Sequence, residues 1–77
     1  MGNVTNMVRV FKDTPFNQDI SNWDVGKVRE MISLFENTPF NQDISSWSVA
    51  NVAGCSNFSL NAPLTAANTP NFTNCTP

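Results

Sequence analysis

A chain of 77 residues with 40% hydrophobic residues, including six Phe and two Trp, is long enough for one small folded domain and too apolar to be disordered. Four Lys and Arg residues against six Asp and Glu residues give a net charge of −2, which excludes the basic surface that binders of nucleic acid or anionic membranes need. No apolar run approaches the about 20 residues of a membrane-spanning helix, so we expect no membrane insertion.

The sequence repeats with a period of 24 residues. Residues 14–25 read TPFNQDISNWDV and residues 38–49 read TPFNQDISSWSV. Periods of 20–50 residues are typical of stacked repeat architectures, in which each unit covers the apolar side of its neighbour. We therefore divide the chain into two and a half repeats, residues 1–65, followed by a C-terminal cap or tail, residues 66–77. The same register links three further sets of residues: Val4, Val28 and Val52; Met7, Met31 and Cys55; Pro15, Pro39 and Pro63.

The first element of each unit is predicted to be a helix. Residues 28–35 carry apolar side chains at the i, i+3, i+4 and i+7 spacing of an amphipathic helix, and residues 4–11 do so one unit earlier. Pro39 cannot continue a helix and disfavours helical backbone at Thr38, so a helix of about two turns is expected to end there.

The second element of each unit is predicted to be a strand. Residues 20–25 and 44–49 share the pattern I-x-x-W-x-V, in which the Trp and the Val fall on one face at strand spacing. The predicted fold is thus α/β: a short right-handed repeat solenoid of strand–turn–helix units with a C-terminal cap. The alternative is an all-helical stack in which residues 19–25 form an extended linker. The predicted repeat core consists of Ile20, Trp23, Val25, Val28, Met31, Phe35, Ile44, Trp47, Val49 and Val52.

Repeated polar residues form a candidate ligand-contact ladder on one edge of the stack. Carboxylate and amide oxygens suit contact with a carbohydrate or a cation. The competing interpretation is loop chemistry, in which these side chains bind nearby backbone amides and each other, and the residue types favour it. The ladder consists of Asn17, Gln18, Asp19, Asn41, Gln42 and Asp43.

The two Trp residues pose a similar choice. An exposed pair could form a platform for sugar rings, but the position of Trp23 and Trp47 in the apolar pattern favours a buried, stacked pair. A buried indole needs a partner for its N–H, which a backbone carbonyl could provide.

Catalysis has little support. The chain has no His to activate a Ser or Cys nucleophile, and Asp19 and Asp43 occupy repeat-related environments rather than the contrasting ones that an acid and a nucleophile require. No Gly-rich phosphate loop or metal-spaced Cys/His cluster is present. We therefore predict a protein that is not an enzyme and uses no cofactor or metal.

The C-terminal segment departs from the repeat. It is rich in Thr, Asn and Pro and contains Cys75, while Cys55 lies in the third, degraded copy of the predicted helix. Two Cys residues in a small exported domain are most simply a disulfide, which would tie the segment over the last unit.

The quoted patterns resemble known repeat families. I-x-x-W-x-V resembles the strand consensus of leucine-rich repeats, and FNQDISNWDVGKVREMISLF closely resembles the repeats of BspA-type bacterial surface proteins, as in mycoplasma surface lipoproteins. This resemblance implies an extracellular or cell-surface fragment of a larger exported protein.

The expected function is a non-catalytic surface repeat module that displays a stacked face for protein or glycan contact, as in adhesion. The alternatives are a structural spacer or end cap of a longer repeat protein, or a small carbohydrate-binding module. Because the first unit lacks an upstream neighbour, self-association through an open N-terminal end is also expected.

Overall fold

The computed structural model describes residues 2–77, and they contain very little regular secondary structure. The one helix among them is a three-residue 3-10 turn, Ala66–Asn68. Strand pairing within residues 2–77 is limited to two isolated parallel bridges, Asn6 to Glu30 and Glu30 to Gly54. The predicted α/β solenoid, leucine-rich-repeat-like in its strands and helices, is therefore wrong, and so is the all-helical alternative. None of the described helices is long and apolar enough to cross a membrane.

Left-handed backbone conformations explain why residues 28–35 do not form a helix. Two positions in each repeat, four residues apart, have φ between 56° and 62°. A right-handed helix needs negative φ at every residue, so these positions interrupt it. They are occupied by Arg9 and Asp13, Ser33 and Asn37, and Asn57 and Asn61.

The backbone amides of this segment are also used elsewhere. We number the repeats unit 1 (residues 4–27), unit 2 (28–51) and the incomplete unit 3 (52–65). The amide of Ser33 donates to the carbonyl of Ser56 at 2.9 Å, and the amide of Phe35 donates to the carbonyl of Phe58 at 2.8 Å. Alternate amides of unit 1 donate to unit 2 in the same way. These amides cannot also form the i→i−4 bonds of a helix, so the apolar spacing reflects successive turns stacked across units.

The predicted strands 20–25 and 44–49 are turns as well. The amide of Trp23 donates to the carbonyl of Ile20 at 3.0 Å, and Trp47 donates to Ile44 at the same distance. Bonds between residues three apart close β-turns, so the I-x-x-W segment bends instead of extending beside a neighbouring strand.

The apolar side chains nevertheless meet in one core. Nine of the ten predicted core residues are buried, and Trp23 is half-buried. Unit 2 is covered on both sides: the rings of Phe35 and Phe40 are fully buried and stack at 4.0 Å, whereas Phe11 and Phe16 of unit 1 are only half-buried. The buried apolar residues are Met7, Ile20, Val25, Val28, Met31, Leu34, Phe35, Phe40, Ile44, Trp47, Val49, Val52, Cys55 and Phe58.

Residues 66–77 pack against the last unit. Cys55 and Cys75, the pair predicted from the sequence, form a disulfide. The ring of Phe72 lies edge-on to Phe58 at 4.9 Å, and the Asn74 side chain donates to the carbonyl of Ala50 at 2.6 Å. The segment thereby covers the C-terminal end of the apolar core.

Candidate functional site

The two aspartates of the predicted ladder share one backbone contact. Oδ1 of Asp19 accepts a hydrogen bond from the amide of Ser21 at 3.0 Å, and Oδ1 of Asp43 accepts one from the amide of Ser45 at 3.0 Å. The hydroxyl of Ser45 also donates to Asp43, at 2.7 Å. Such Asx turns arise because a short acidic side chain reaches the backbone two residues ahead. The repeated D-I-S sequence therefore fixes the orientation of both carboxylates.

These residues line one exposed cleft between units 1 and 2, which we call the acidic cleft. Neither Lys nor Arg lines it, and both carboxylates are exposed. Within residues 2–77 each carboxylate bonds only to the Ser two residues ahead, which leaves acceptor capacity on both carboxylates. The acidic cleft consists of Asp19, Ser21, Gln42, Asp43, Ser45 and Ser46.

Hydrogen bonding lowers the pKa of both carboxylates. The hydroxyl of Ser45, and then its amide, lower the pKa of Asp43. The amide of Ser21 is the main cause of the lowered pKa of Asp19. Aspartates are ionised at neutral pH even at their ordinary pKa, and the lowered pKa extends this to more acidic conditions, so both groups act only as hydrogen-bond acceptors. The cleft can therefore accept bonds from hydroxyl, amide or cationic donors.

The amide residues of the predicted ladder join the units to each other. Oδ1 of Asn17 accepts bonds from the amide of Asn41 at 3.0 Å and from the side chain of Gln42 at 3.1 Å. The side chain of Asn68 donates to Asn41 at 3.4 Å. Gln18 is exposed and borders an apolar hollow beside Phe16. The six-residue ladder thus divides into an acidic part that faces solvent and an amide part engaged mainly in contacts between units.

The two Trp residues do not form an exposed pair. Trp47 is 5% exposed, and its indole N–H donates to the carbonyl of Ile20 at 3.2 Å. Trp23 is half-buried and lies 6.0 Å from the ring of Phe11. Only Trp23 therefore has an accessible ring surface.

A second side-chain ladder lies outside the residues predicted from the sequence. The side chain of Asn37 donates to Asp13 at 2.7 Å, and the side chain of Asn61 donates to Asn37 at 2.8 Å. The 24-residue spacing of these residues, together with the preference of Asn and Asp for left-handed backbone, was the signal that could have revealed it. Its place at the left-handed positions indicates a structural role.

No group of three or more acidic, Cys or His side chains that could hold a metal ion is present among residues 2–77. The pair formed by Asp19 and Asp43 provides two carboxylates, which is fewer than the oxygen ligands that Ca²⁺ normally takes from a protein.

In contrast to the polar acidic cleft, the N-terminal end of the stack carries an apolar surface. The side chain of Val10 is 47% exposed, whereas its equivalent Leu34 is fully buried. We call this surface the N-terminal face; it consists of Val4, Val10, Phe11, Phe16 and Trp23.

Comparison with known proteins places the chain in a family. The family described as "Mycoplasma protein of unknown function, DUF285" matches residues 1–76. No match was found among curated proteins or among solved structures. This agrees with the predicted likeness to mycoplasma repeats at the level of the family, without singling out the BspA type. Because the match extends over nearly all of the sequence, the chain belongs to the DUF285 family of Mycoplasma proteins of unknown function.

Proposed function

We propose that this chain is a non-catalytic repeat module of an exported, surface-exposed protein and that its acidic cleft contacts a glycan. The surface location is supported by the disulfide, which forms in oxidising compartments, and by the resemblance to BspA-type surface repeats. Membership of a Mycoplasma protein family is compatible with it.

The observation that carries the proposal is the fixed orientation of two ionised carboxylates in one exposed cleft. Each carboxylate is held by an amide two residues ahead, so little conformational freedom is lost when a ligand binds. Free carboxylate oxygens accept bonds from sugar hydroxyls, and the hydroxyls of Ser45 and Ser46 add further polar groups. The two carboxylates could equally bind a basic surface on another protein, so binding to a protein instead of a glycan is the other outcome of the test.

The test is a glycan and protein binding screen with two matched variants. We expect Asp19→Asn and Asp43→Asn together to abolish binding, because Asn can still form the Asx turn but removes the charge. Asp24→Asn is the control: Asp24 also accepts a bond from an amide two residues ahead, that of Gly26 at 3.0 Å, but lies outside the acidic cleft. Equal loss of binding in both variants, or no binding by the native chain, would contradict the proposal.

A structural spacer or end cap is the second candidate. It is favoured by the engagement of Asn17, Asn41 and Gln42 in bonds between units, which gives most of the repeated amides an architectural use. A binding screen that finds no ligand for the native chain is the result expected for a spacer. Sugar stacking on a Trp pair is the least supported function, because Trp47 is buried.

A further inference from the structure

Most backbone hydrogen bonds between units run in one direction. Amides of unit 1 donate to carbonyls of unit 2, and amides of unit 2 donate to carbonyls of unit 3. For example, the amide of Arg9 donates to the carbonyl of Ile32 at 3.0 Å. The exceptions lie beside the parallel bridges, where the amide of Arg29 donates back to the carbonyl of Thr5 and the amide of Ala53 donates back to the carbonyl of Arg29, both at 2.8 Å. Apart from these bonds, each unit presents carbonyl acceptors on its upstream side and amide donors on its downstream side.

This direction leaves a row of acceptors at the N-terminal end of the stack. The carbonyls of Glu30, Ile32, Leu34 and Glu36 accept bonds from unit 1, but their equivalents in unit 1 accept none from residues 2–77. We call these four carbonyls the acceptor edge; they belong to Asn6, Val8, Val10 and Lys12.

The apolar side chains beside the acceptor edge are also less covered than their equivalents in unit 2. In unit 2, Phe35 and Phe40 are fully buried because unit 1 lies on them, whereas the equivalent Phe11 and Phe16 are half-buried. The ring of Phe11 stacks on Phe35 at 5.7 Å, and Phe16 stacks on Phe40 at 5.9 Å. The contact between units 1 and 2 thus shows what fits the N-terminal face.

We propose that the N-terminal face and the acceptor edge together form a docking surface for a further, uncapped repeat unit of the same kind. That unit binds in parallel, donates alternate backbone amides to the four carbonyls and stacks its Phe pair on Phe11 and Phe16. Donor groups and aromatic rings on the incoming unit match acceptors and rings on this one. The proposal is independent of any ligand in the acidic cleft.

A second copy of the chain fits this surface poorly in either orientation. Two N-terminal faces brought together would set acceptor edge against acceptor edge, leaving carbonyls without donors. A head-to-tail copy would offer its free amides, such as that of Asn57, but its apolar end is covered by the segment that carries Phe72 and Cys75. The self-association expected from the sequence is therefore weaker than docking of an uncapped unit.

The experiment compares the chain with a version in which residues 4–27 are duplicated directly ahead of Val4. Trp47 and the Trp of the added copy are replaced by Phe, so that Trp23 is the only indole. We expect iodide to quench Trp23 in the unextended Trp47→Phe chain. In the extended chain, quenching should fall to the level of Trp47 measured in a Trp23→Phe chain, where that indole is buried.

Two control extensions separate specific docking from nonspecific cover. A scrambled extension should leave Trp23 quenchable. Two further extended chains carry double substitutions in the added copy. Met7→Pro with Phe11→Pro removes two backbone amide donors, whereas the control, Met7→Ala with Phe11→Ala, removes the same side chains but keeps both amides. We expect the Ala pair to retain more protection of Trp23 than the Pro pair.

The proposal is overturned if Trp23 stays quenchable in the extended chain or if the scrambled extension protects it equally. It is also overturned if Trp23 is protected in the unextended chain and sedimentation shows that this chain is a dimer. A ¹H–¹⁵N spectrum checks that residues 28–77 keep their native signals. If they do and the added amides still exchange freely, the added unit has not docked and the proposal fails.

Discussion

The indole N–H of Trp47 donates a hydrogen bond to the carbonyl of Ile20, one repeat away, at 3.2 Å. Trp47 therefore fills the core and also joins unit 2 to unit 1. We predict that Trp47→Phe lowers the free energy of unfolding by about 1–2 kcal/mol, from a lost hydrogen bond and a small cavity. The matched change Trp23→Phe should cost less, because Trp23 is half-buried. Urea denaturation of both variants gives the comparison, and equal losses would argue against the assigned role of Trp47.

The Asn ladder gives a second prediction. Asn37 has φ of 59°, donates to Asp13 and accepts from Asn61. Asn37→Ala should destabilise the fold by about 2 kcal/mol, because it loses both bonds and places a Cβ-bearing residue without a local partner in left-handed backbone. Asn37→Gly should lose about 1 kcal/mol less, because glycine tolerates this conformation. Thermal or urea unfolding measures both, and a more harmful Gly variant would contradict the backbone argument.

The disulfide gives a third prediction. Cys55 and Cys75 are 20 residues apart, and Cys55 is fully buried. Reduction should lower the free energy of unfolding by about 3 kcal/mol, mainly by releasing the constraint on the unfolded chain. The urea midpoint with and without dithiothreitol tests this. Two free thiols in the native, oxidised protein, or an unchanged midpoint after verified reduction, would refute the predicted contribution.

The acidic cleft gives a prediction about pH. The pKa values of Asp19 and Asp43 are lowered in the folded chain, so the stability that they contribute is present above the ordinary Asp pKa of about 3.9 and is lost as the pH falls through the lower folded values. Because the Ser45 hydroxyl is the main cause at Asp43, Ser45→Ala should raise the pKa of Asp43. Ser21→Ala should change the pKa of Asp19 less, since the Ser21 amide, its main partner, remains. NMR titration of the carboxyl carbons measures the pKa of Asp43 in the native and Ser45→Ala chains and the pKa of Asp19 in the native and Ser21→Ala chains. A larger pKa change at Asp19 than at Asp43 would contradict this assignment.

Sequence patterns identified the burial of apolar residues better than the path of the backbone. The 24-residue period indicated which side chains share an environment, and Val28, Met31 and Phe35 are all buried. The same spacing was interpreted as a helix because i, i+3 and i+7 apolar positions also arise from consecutive turns. The spacing of apolar residues does not indicate that the backbone of Ser33 is left-handed or that its amide donates to the carbonyl of Ser56 in unit 3.

The Thr-Pro pair illustrates the same limit. Pro39 was expected to end a helix. Instead, the hydroxyl of Thr38 donates to the carbonyl of Phe35 at 2.8 Å and accepts from the amide of Phe40 at 3.3 Å, which closes a turn where no helix precedes it. Side chains of Thr, Asn and Asp can replace backbone hydrogen bonds of regular structure, so a sequence rich in them favours turns.

The candidate site was anticipated in its residues but not in its division of roles. Repetition identified Asp19 and Asp43, and short-range Asx chemistry accounts for their orientation. The engagement of Asn17 with unit 2 depends on how the units stack, which residue spacing alone does not define.

Alternate amides of units 1 and 2 bond to carbonyls of the next unit rather than within a helix. The most direct measurement is NMR scalar coupling across hydrogen bonds, which identifies the donor and acceptor of each bond. We predict couplings from the amides of Met31, Ser33 and Phe35 to the carbonyl carbons of Gly54, Ser56 and Phe58, respectively. Couplings from residues 31–35 to carbonyls four residues earlier would contradict the account and restore the helix.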